Sequence, residues 1–161
     1  MNVLLVLAHP ERRSFNGAMF DTAVEALGAA GHAVITSDLY RMGFDPISSR
    51  RNFTTVKDAD YLKLQMEELH ASEAGGFAAE VESEIAKVEA ADLMIWQFPL
   101  WWFALPAILK GWVDRVFAMG RTYGSGHIYE TGKFSGKREL LSLTTGGPEA
   151  AYRSDGFNGD L

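Results

Sequence analysis

The chain has 161 residues, 47% hydrophobic and 22% charged, with a net charge of −6 and no cysteine. That length fits one domain, able to bury roughly two thirds of its unfolded surface. An acidic balance without any block of Lys or Arg argues against a nucleic-acid surface, and the missing thiols exclude disulfides, thiolate nucleophiles and Cys-rich metal sites.

Val3 to Ala8 is a continuous apolar run, the pattern of a strand buried on both faces. It lacks a basic segment before it and a small-residue cleavage site after it, so it is not a signal peptide, and a cytoplasmic location is expected. "HPERRSFN" leads into a helix with Ser14 as N-cap and Gly31 as its stop. Its expected apolar stripe is Phe15, Ala18, Met19, Ala23, Ala26, Leu27 and Ala30. "AVITSDLY" is a second strand. Residues 41–77 read as an irregular excursion with "YLKLQMEELH" as its one helical candidate. At some 37 residues it is longer than an ordinary strand–helix connection, and it is expected to cover something or to reach a partner. The helix "AAEVESEIAKVEAA" carries Val81, Ile85 and Val88 on one face and glutamates on the other.

All four tryptophans fall between Asp92 and Arg115, and from Leu93 to Leu109 the only polar side chain is Gln97. Those 17 residues are at the short limit of a membrane span, and Pro99 and Pro106 would both interrupt such a helix. The prolines read instead as punctuation between a strand, "DLMIWQF", and a helix that Pro106 opens. Leu109, Trp112, Val113, Val116 and Phe117 are the stripe of that helix. "RELLSLTTGG" gives a fourth strand with a glycine-rich end. Strands alternating with helices predict an α/β fold with a doubly wound parallel sheet. The chain stops in "GFNGDL", which reads as a loop where a fifth strand is expected, so a C-terminal segment is expected to be missing.

In such sheets ligands bind beyond the carboxyl ends of the strands. "AHPERRSFN" places His9, Ser14 and Asn16 at a helix N-terminus, where free N–H groups favour an anion. The plain alternative is that Ser14 only caps the helix and His9 only turns the chain. "FPLWWF" puts large rings, Leu100 to Phe103, on a loop, suited either to a flat aromatic ligand or to a core or dimer interface. "TTGGP" offers two hydroxyls and two glycines at a strand end, for a close backbone approach or an ordinary turn. "GSGH", 124–127, matches neither a Walker loop nor a dinucleotide fingerprint. The four histidines, His9, His32, His70 and His127, have no metal-ligand spacing, so no metal is expected. There is no GxSxG elbow for a serine hydrolase.

Four blocks, "LAHPERRSFN", "SDLYRMGFDPISSR", "AADLMIWQFPLWWFALPAILKGWVDRVF" and "LLSLTTGGPEAAYRSDGFNGDL", together resemble the NAD(P)H:quinone oxidoreductases of the flavodoxin-like superfamily. The resemblance covers nearly the whole chain, in order. It implies a sheet of strand order 2-1-3-4-5 and FAD bound at the interface of a homodimer. It assigns His9, Ser14, Phe15 and Asn16 to the pyrophosphate end of the cofactor. Pro99, Leu100, Trp101, Trp102 and Phe103 would line one edge and face of the flavin ring, and Thr144, Thr145, Gly146 and Gly147 its other edge, with Tyr152 at its carbonyl side. Gly146, Gly147, Tyr152 and Asn158 would carry the catalytic stabilisation. Trp102, Phe103, Tyr123, Gly124 and Ser125 would form the pocket for a quinone or other small aromatic acceptor, Tyr123 reaching it from the partner subunit.

The implied reaction is ping-pong hydride transfer from NAD(P)H through the flavin to a quinone. Two departures bear on this. Asn158 stands where some family members have a histidine, and asparagine takes up no proton. The family also continues beyond "GDL", which leaves FMN possible beside FAD. The same fold also serves as an ancillary subunit of potassium-efflux systems and as azo- or nitro-reducing flavoenzymes, which share the site residues.

Overall fold

The structure is a computed structural model that describes every residue except Ser125, Ile128, Asp160 and Leu161. The first strand, β1 (Asn2–Leu7), is buried from Val3 onward because packing covers both its faces. Leu4 and Val6 enter the larger core, while Val3, Leu5 and Leu7 enter a smaller one beneath the first helix, α1 (Phe15–Ala29). Each such side chain contributes about 1.5–3 kcal/mol of burial free energy. The other strands are β2 (Ala33–Asp38), β3 (Leu93–Pro99) and β4 (Arg138–Thr144). All pairings are parallel, as the sequence pattern predicts, and the order is β2-β1-β3-β4, as the family resemblance implies for the first four strands.

The expected second strand ends two residues early. Leu39 and Tyr40 enter a short helix, α2 (Leu39–Met42), because the Asp38 side chain accepts the Arg41 N–H and caps it. The excursion contains α3 (Leu64–Ala74), which starts and ends later than "YLKLQMEELH" and stops at Gly75 with φ +65. Next come α4 (Ala79–Ala90) and α5 (Ala107–Val116), the latter with Pro106 at its N-cap. No helix among the described residues is long and apolar enough to cross a membrane.

Two expectations about helix faces are corrected. In α1 the inward residues are Asn16, Gly17 and Phe20, backed by Ala23, Val24 and Leu27. Phe15 is instead 72% exposed. Phe15, Ala18 and Ala26 line an apolar groove of about 380 Å³ that runs along α1 to Leu140 of β4. In α4 the glutamates do not all face solvent. Glu84 is 1% exposed and accepts from Ser37 Oγ at 2.7 Å, Trp112 Nε1 at 2.9 Å and Lys87 Nζ at 2.6 Å. Three donors satisfy a carboxylate that burial alone would disfavour. In β4, Leu140, Leu141 and Leu143 are exposed.

The excursion lies against α4 and α5. Arg115, only 3% exposed on α5, donates to Asn52 Oδ1 at 2.8 Å, to Glu80 Oε2 at 3.0 Å and to the Asp45 carbonyl. Its guanidinium also sits 4.9 Å from the centre of the Phe44 ring. Gly111 explains how the segment can approach so closely, since a Cβ there would stand 2.2 Å from the Pro46 carbonyl oxygen. Nearby, the buried Glu67 accepts backbone N–H groups of Lys57 and Asp58. Those two donors hold its carboxyl below the usual glutamate range.

Arg115→Met leaves Asn52 Oδ1 and Glu80 without their donor. A loss of about 3 kcal/mol in urea unfolding is expected. Proteolysis of the folded chain within residues 43–53 should become faster. An unchanged midpoint with unchanged cleavage would mean that other contacts hold the segment.

Candidate functional site

At the carboxyl end of the sheet, between β1 and β3, the chain crosses from one side of the sheet to the other. Open α/β sheets place their ligand crevice at such a switch. Here a cleft of about 360 Å³ is lined by His9, Asn16, Pro99, Leu100, Trp101, Trp102, Thr144, Thr145 and Gly146. The loops after β1, β3 and β4 thus meet in one place, as the sequence predicts, and no carboxylate is among these lining residues.

A ladder of side-chain amides and hydroxyls joins the three loops. Ser142 Oγ donates to Gln97 Oε1 at 2.7 Å, Gln97 Nε2 donates to Asn16 Oδ1 at 2.8 Å, and Asn16 Nδ2 donates to Thr144 Oγ1 at 2.9 Å. Gln97 and Asn16 are 3% and 5% exposed, so these bonds replace water rather than compete with it. Gln97 and Ser142 were missing from the residues expected at the site. The available signal was that Gln97 is the lone polar side chain of a buried strand, and a buried amide requires partners.

On the first loop Ser14 accepts the Gly17 N–H at 3.2 Å and so caps α1. Its hydroxyl also lies 3.0 Å from His9 Nδ1, which stands 3.0 Å from both the backbone N–H and the carbonyl oxygen of Glu11. The Nδ1 side of the ring is thus engaged within the loop, and Nε2 is the ring nitrogen left to face a ligand. Ser14 therefore caps the helix and orients His9 at once. The loop folds back on the helix start, where a Cβ at Gly17 would stand 1.9 Å from the Arg12 carbonyl oxygen.

On the second loop Trp102 and Phe103 both have positive φ, 52° and 58°. Bulky residues pay about 1–2 kcal/mol each in that region. Trp102 is nonetheless 94% exposed and Phe103 56% exposed, so burial does not offset the strain. Ala104 N–H closes the turn on the Trp101 carbonyl at 3.1 Å, and Leu100 N–H donates to the Thr144 carbonyl at 2.8 Å. The Trp101 ring lies 6.0 Å from the His9 ring. Strained residues that the surrounding structure fixes in the open are a mark of binding sites.

The remaining expected residues lie around this cleft or apart from it. Phe15 stands at the start of α1, in the adjoining apolar groove. Gly147 is packed under Tyr152, since a Cβ there would be 3.0 Å from Tyr152 Cε2. Asn158 donates its backbone N–H to the Ala151 carbonyl at 2.7 Å, which brings the 157–159 segment back toward Tyr152. Tyr123 lines a separate cavity, and Gly124, at φ +98, follows it in the same turn. Ser125 lies outside the described residues. One chain therefore does not bring Tyr123 to Trp102. Among the described residues no group of three or more His, Asp or Glu could hold a metal ion.

Gln97→Leu strands the Asn16 carbonyl oxygen and the Ser142 hydroxyl, and a loss of about 2 kcal/mol in urea unfolding is expected. Gln97→Leu combined with Asn16→Leu should cost less than the sum of the two single changes. Additive losses would mean that the ladder does not act as a unit.

The family model described as flavodoxin-like fold matches residues 1–161. NAD(P)H dehydrogenase [quinone] 1 of Rattus norvegicus is 46% identical over 159 residues, 98% of this chain and 58% of the relative. Ribosyldihydronicotinamide dehydrogenase [quinone] of Pongo abelii is 42% identical over 160 residues, 99% of this chain and 69% of the relative. The chain thus spans little more than half the length of the first. A solved structure from Klebsiella pneumoniae, classed as a quinone reductase, is 39% identical with a TM-score of 0.90, over 98% of this chain and 64% of that one. The chain belongs to the flavodoxin-like fold family, and the relatives it resembles are named as quinone-reducing dehydrogenases.

Proposed function

We propose that the protein is a cytoplasmic, flavin-dependent oxidoreductase that reduces quinones by two electrons at the expense of NAD(P)H. The observation that carries the proposal is the pairing, in one cleft, of polar groups from the β1 and β4 loops with the strained, exposed Trp102. The residues present suit a flavin. The α1 N-terminus offers backbone N–H donors to an anionic tail, with the His9 ring beside it. Leu100, Trp101 and Trp102 offer an apolar cover to a flat ring. The backbone around Thr145 and Gly146 borders the cleft with only hydroxyl and glycine side chains.

When bound, a flavin supplies hydride acceptance and donation, chemistry that the side chains of this chain lack. The protein's part is to orient and to stabilise charge. Backbone N–H groups near Gly146 and Gly147, with the Tyr152 hydroxyl, would hold negative charge at the polar edge. Thr144, fixed by Asn16, keeps that edge at a set distance from α1. Asn158 supplies a hydrogen-bonding amide and no titratable proton.

A cleft of about 360 Å³ is at the low end for a small-molecule site, roughly 300–1,000 Å³. This supports a homodimer in which a second copy completes the site and covers Trp102, with Tyr123 contributed across the interface. FAD is the expected cofactor, with FMN as the smaller alternative.

Full-length purified protein is expected to be yellow and to oxidise NADH or NADPH when a quinone is added. Chromatography of the released cofactor distinguishes FAD from FMN. A colourless protein that takes up neither flavin overturns the proposal. Trp102→Ala should weaken flavin retention at least tenfold with little change in stability. Trp112→Ala, in the core, should instead cost about 3–5 kcal/mol of stability. Equal flavin retention in the two variants would remove Trp102 from the site.

A further inference from the structure

Asn16 and Asn158 are the two asparagines of this chain that a glycine follows. Glycine has no side chain to keep its backbone nitrogen away from the preceding amide, so such a pair is open to attack by that nitrogen. The fold puts the two pairs in opposite settings. Asn16 is 5% exposed in the first turn of α1. Both ends of its amide are bonded, Nδ2 to Thr144 Oγ1 at 2.9 Å and Oδ1 to Gln97 Nε2 at 2.8 Å. The Gly17 nitrogen is engaged as well, donating to Ser14 Oγ at 3.2 Å.

Asn158 lies half-buried in a turn, next to Phe157, which is 94% exposed. Its backbone N–H donates to the Ala151 carbonyl at 2.7 Å, while among the described residues its side-chain amide has no hydrogen-bond partner. The Gly159 N–H donates to the Gly156 carbonyl at 3.1 Å, inside the same short turn, and such local bonds open at little cost. Glycine is nonetheless required at this position, since a Cβ would stand 2.5 Å from the Arg153 carbonyl oxygen. The packing of the turn therefore imposes the labile pair.

We propose that Asn158 is a site of spontaneous deamidation, which turns the amide in this turn into a carboxylate, whereas the fold protects Asn16. The Gly159 nitrogen gives up its proton to solvent and bonds to Asn158 Cγ, and the side-chain nitrogen leaves as ammonia. Water then opens the cyclic imide at either carbonyl, leaving aspartate or isoaspartate. The reaction consumes one water and involves no oxidant or reductant. The new charge sits on the segment that folds back on Ala151, beside the Tyr152 that packs on Gly147. A like charge there opposes negative charge at the polar edge of the cleft. That consequence rests on the flavin reading, whereas the deamidation does not.

The test incubates full-length wild-type protein at mildly alkaline pH, folded and in urea, and follows both asparagines by peptide mapping with mass spectrometry. In the folded protein Asn158 should convert at least about tenfold faster than Asn16, the scale of opening one buried hydrogen-bonded pair. In urea the two should convert at similar rates. Folded protein in which Asn158 is no faster than Asn16, or a rate gap that persists in urea, overturns the proposal. Redox titration of the flavin-loaded protein gives the second readout. Asn158→Asp should lower the midpoint potential of the flavin, and Asn158→Gln should lower it less. An unchanged potential in Asn158→Asp removes residue 158 from the polar edge and overturns the stated consequence. If the wild-type protein takes up no flavin, the functional reading falls, and mass spectrometry alone decides whether Asn158 deamidates.

Discussion

The side-chain amide of Gln97 is the constraint on which the candidate site depends. It lies 3% exposed in the middle of an apolar strand, where an unbonded amide would cost about 1–3 kcal/mol. Both its ends are used, one by Ser142 and the other by Asn16, which passes the chain of bonds on to Thr144. Donor and acceptor roles are therefore determined along the whole ladder, and neither amide can flip without breaking two bonds. The same ladder sets the spacing between the N-terminus of α1 and the ends of β3 and β4. Three loops distant in sequence are thereby held at one geometry before any ligand arrives, which lowers the ordering cost of binding.

The aromatic loop makes the opposite bargain. Trp102 and Phe103 sit in a disfavoured backbone region and gain little burial for it. A loop free to relax would leave that region, so the turn closure at Ala104 and the Leu100–Thr144 bond must impose it. Ladder and loop together give a rigid floor with rings held open beside it. The two other tryptophans behave differently. Trp96 and Trp112 meet edge to face at 5.7 Å, with Phe117 packed on both, and form the interior beneath α5.

Among the described residues the two faces of the sheet are covered differently. A helix with its side chains is about 10–12 Å wide and strands lie about 4.8 Å apart, so one helix covers little more than two strands. On one face α4, α5 and the excursion share the task, tied by Arg115 and Glu84. On the other face, among the described residues, α1 is the helix that packs on the strands. It covers β1 and its neighbours and leaves the groove along Leu140 open. Apolar residues of α1 that follow a core-facing period are consequently exposed, though their chemistry is that of the core.

The sequence by itself determined the α/β class and the strand-end loops that would meet, while the order of the strands came from the family resemblance. Buried strands must be apolar, prolines and glycines must punctuate, and these are local rules. It also identified Trp112 as core and Trp102 as belonging to a loop, since Pro99 and Pro106 separate strand from helix. Only the tertiary structure decided which polar residues become internal. Glu84 reads as a solvent-facing glutamate and Gln97 as a lone polar residue without partners until Ser37, Trp112, Asn16 and Ser142 arrive from elsewhere in the chain to satisfy them. It likewise decided that Phe15 faces outward and that Gly111 must be glycine, because both depend on what packs opposite. Periodicity reports which side chains could be buried, whereas a buried polar atom or a close backbone approach is defined by a partner distant in sequence.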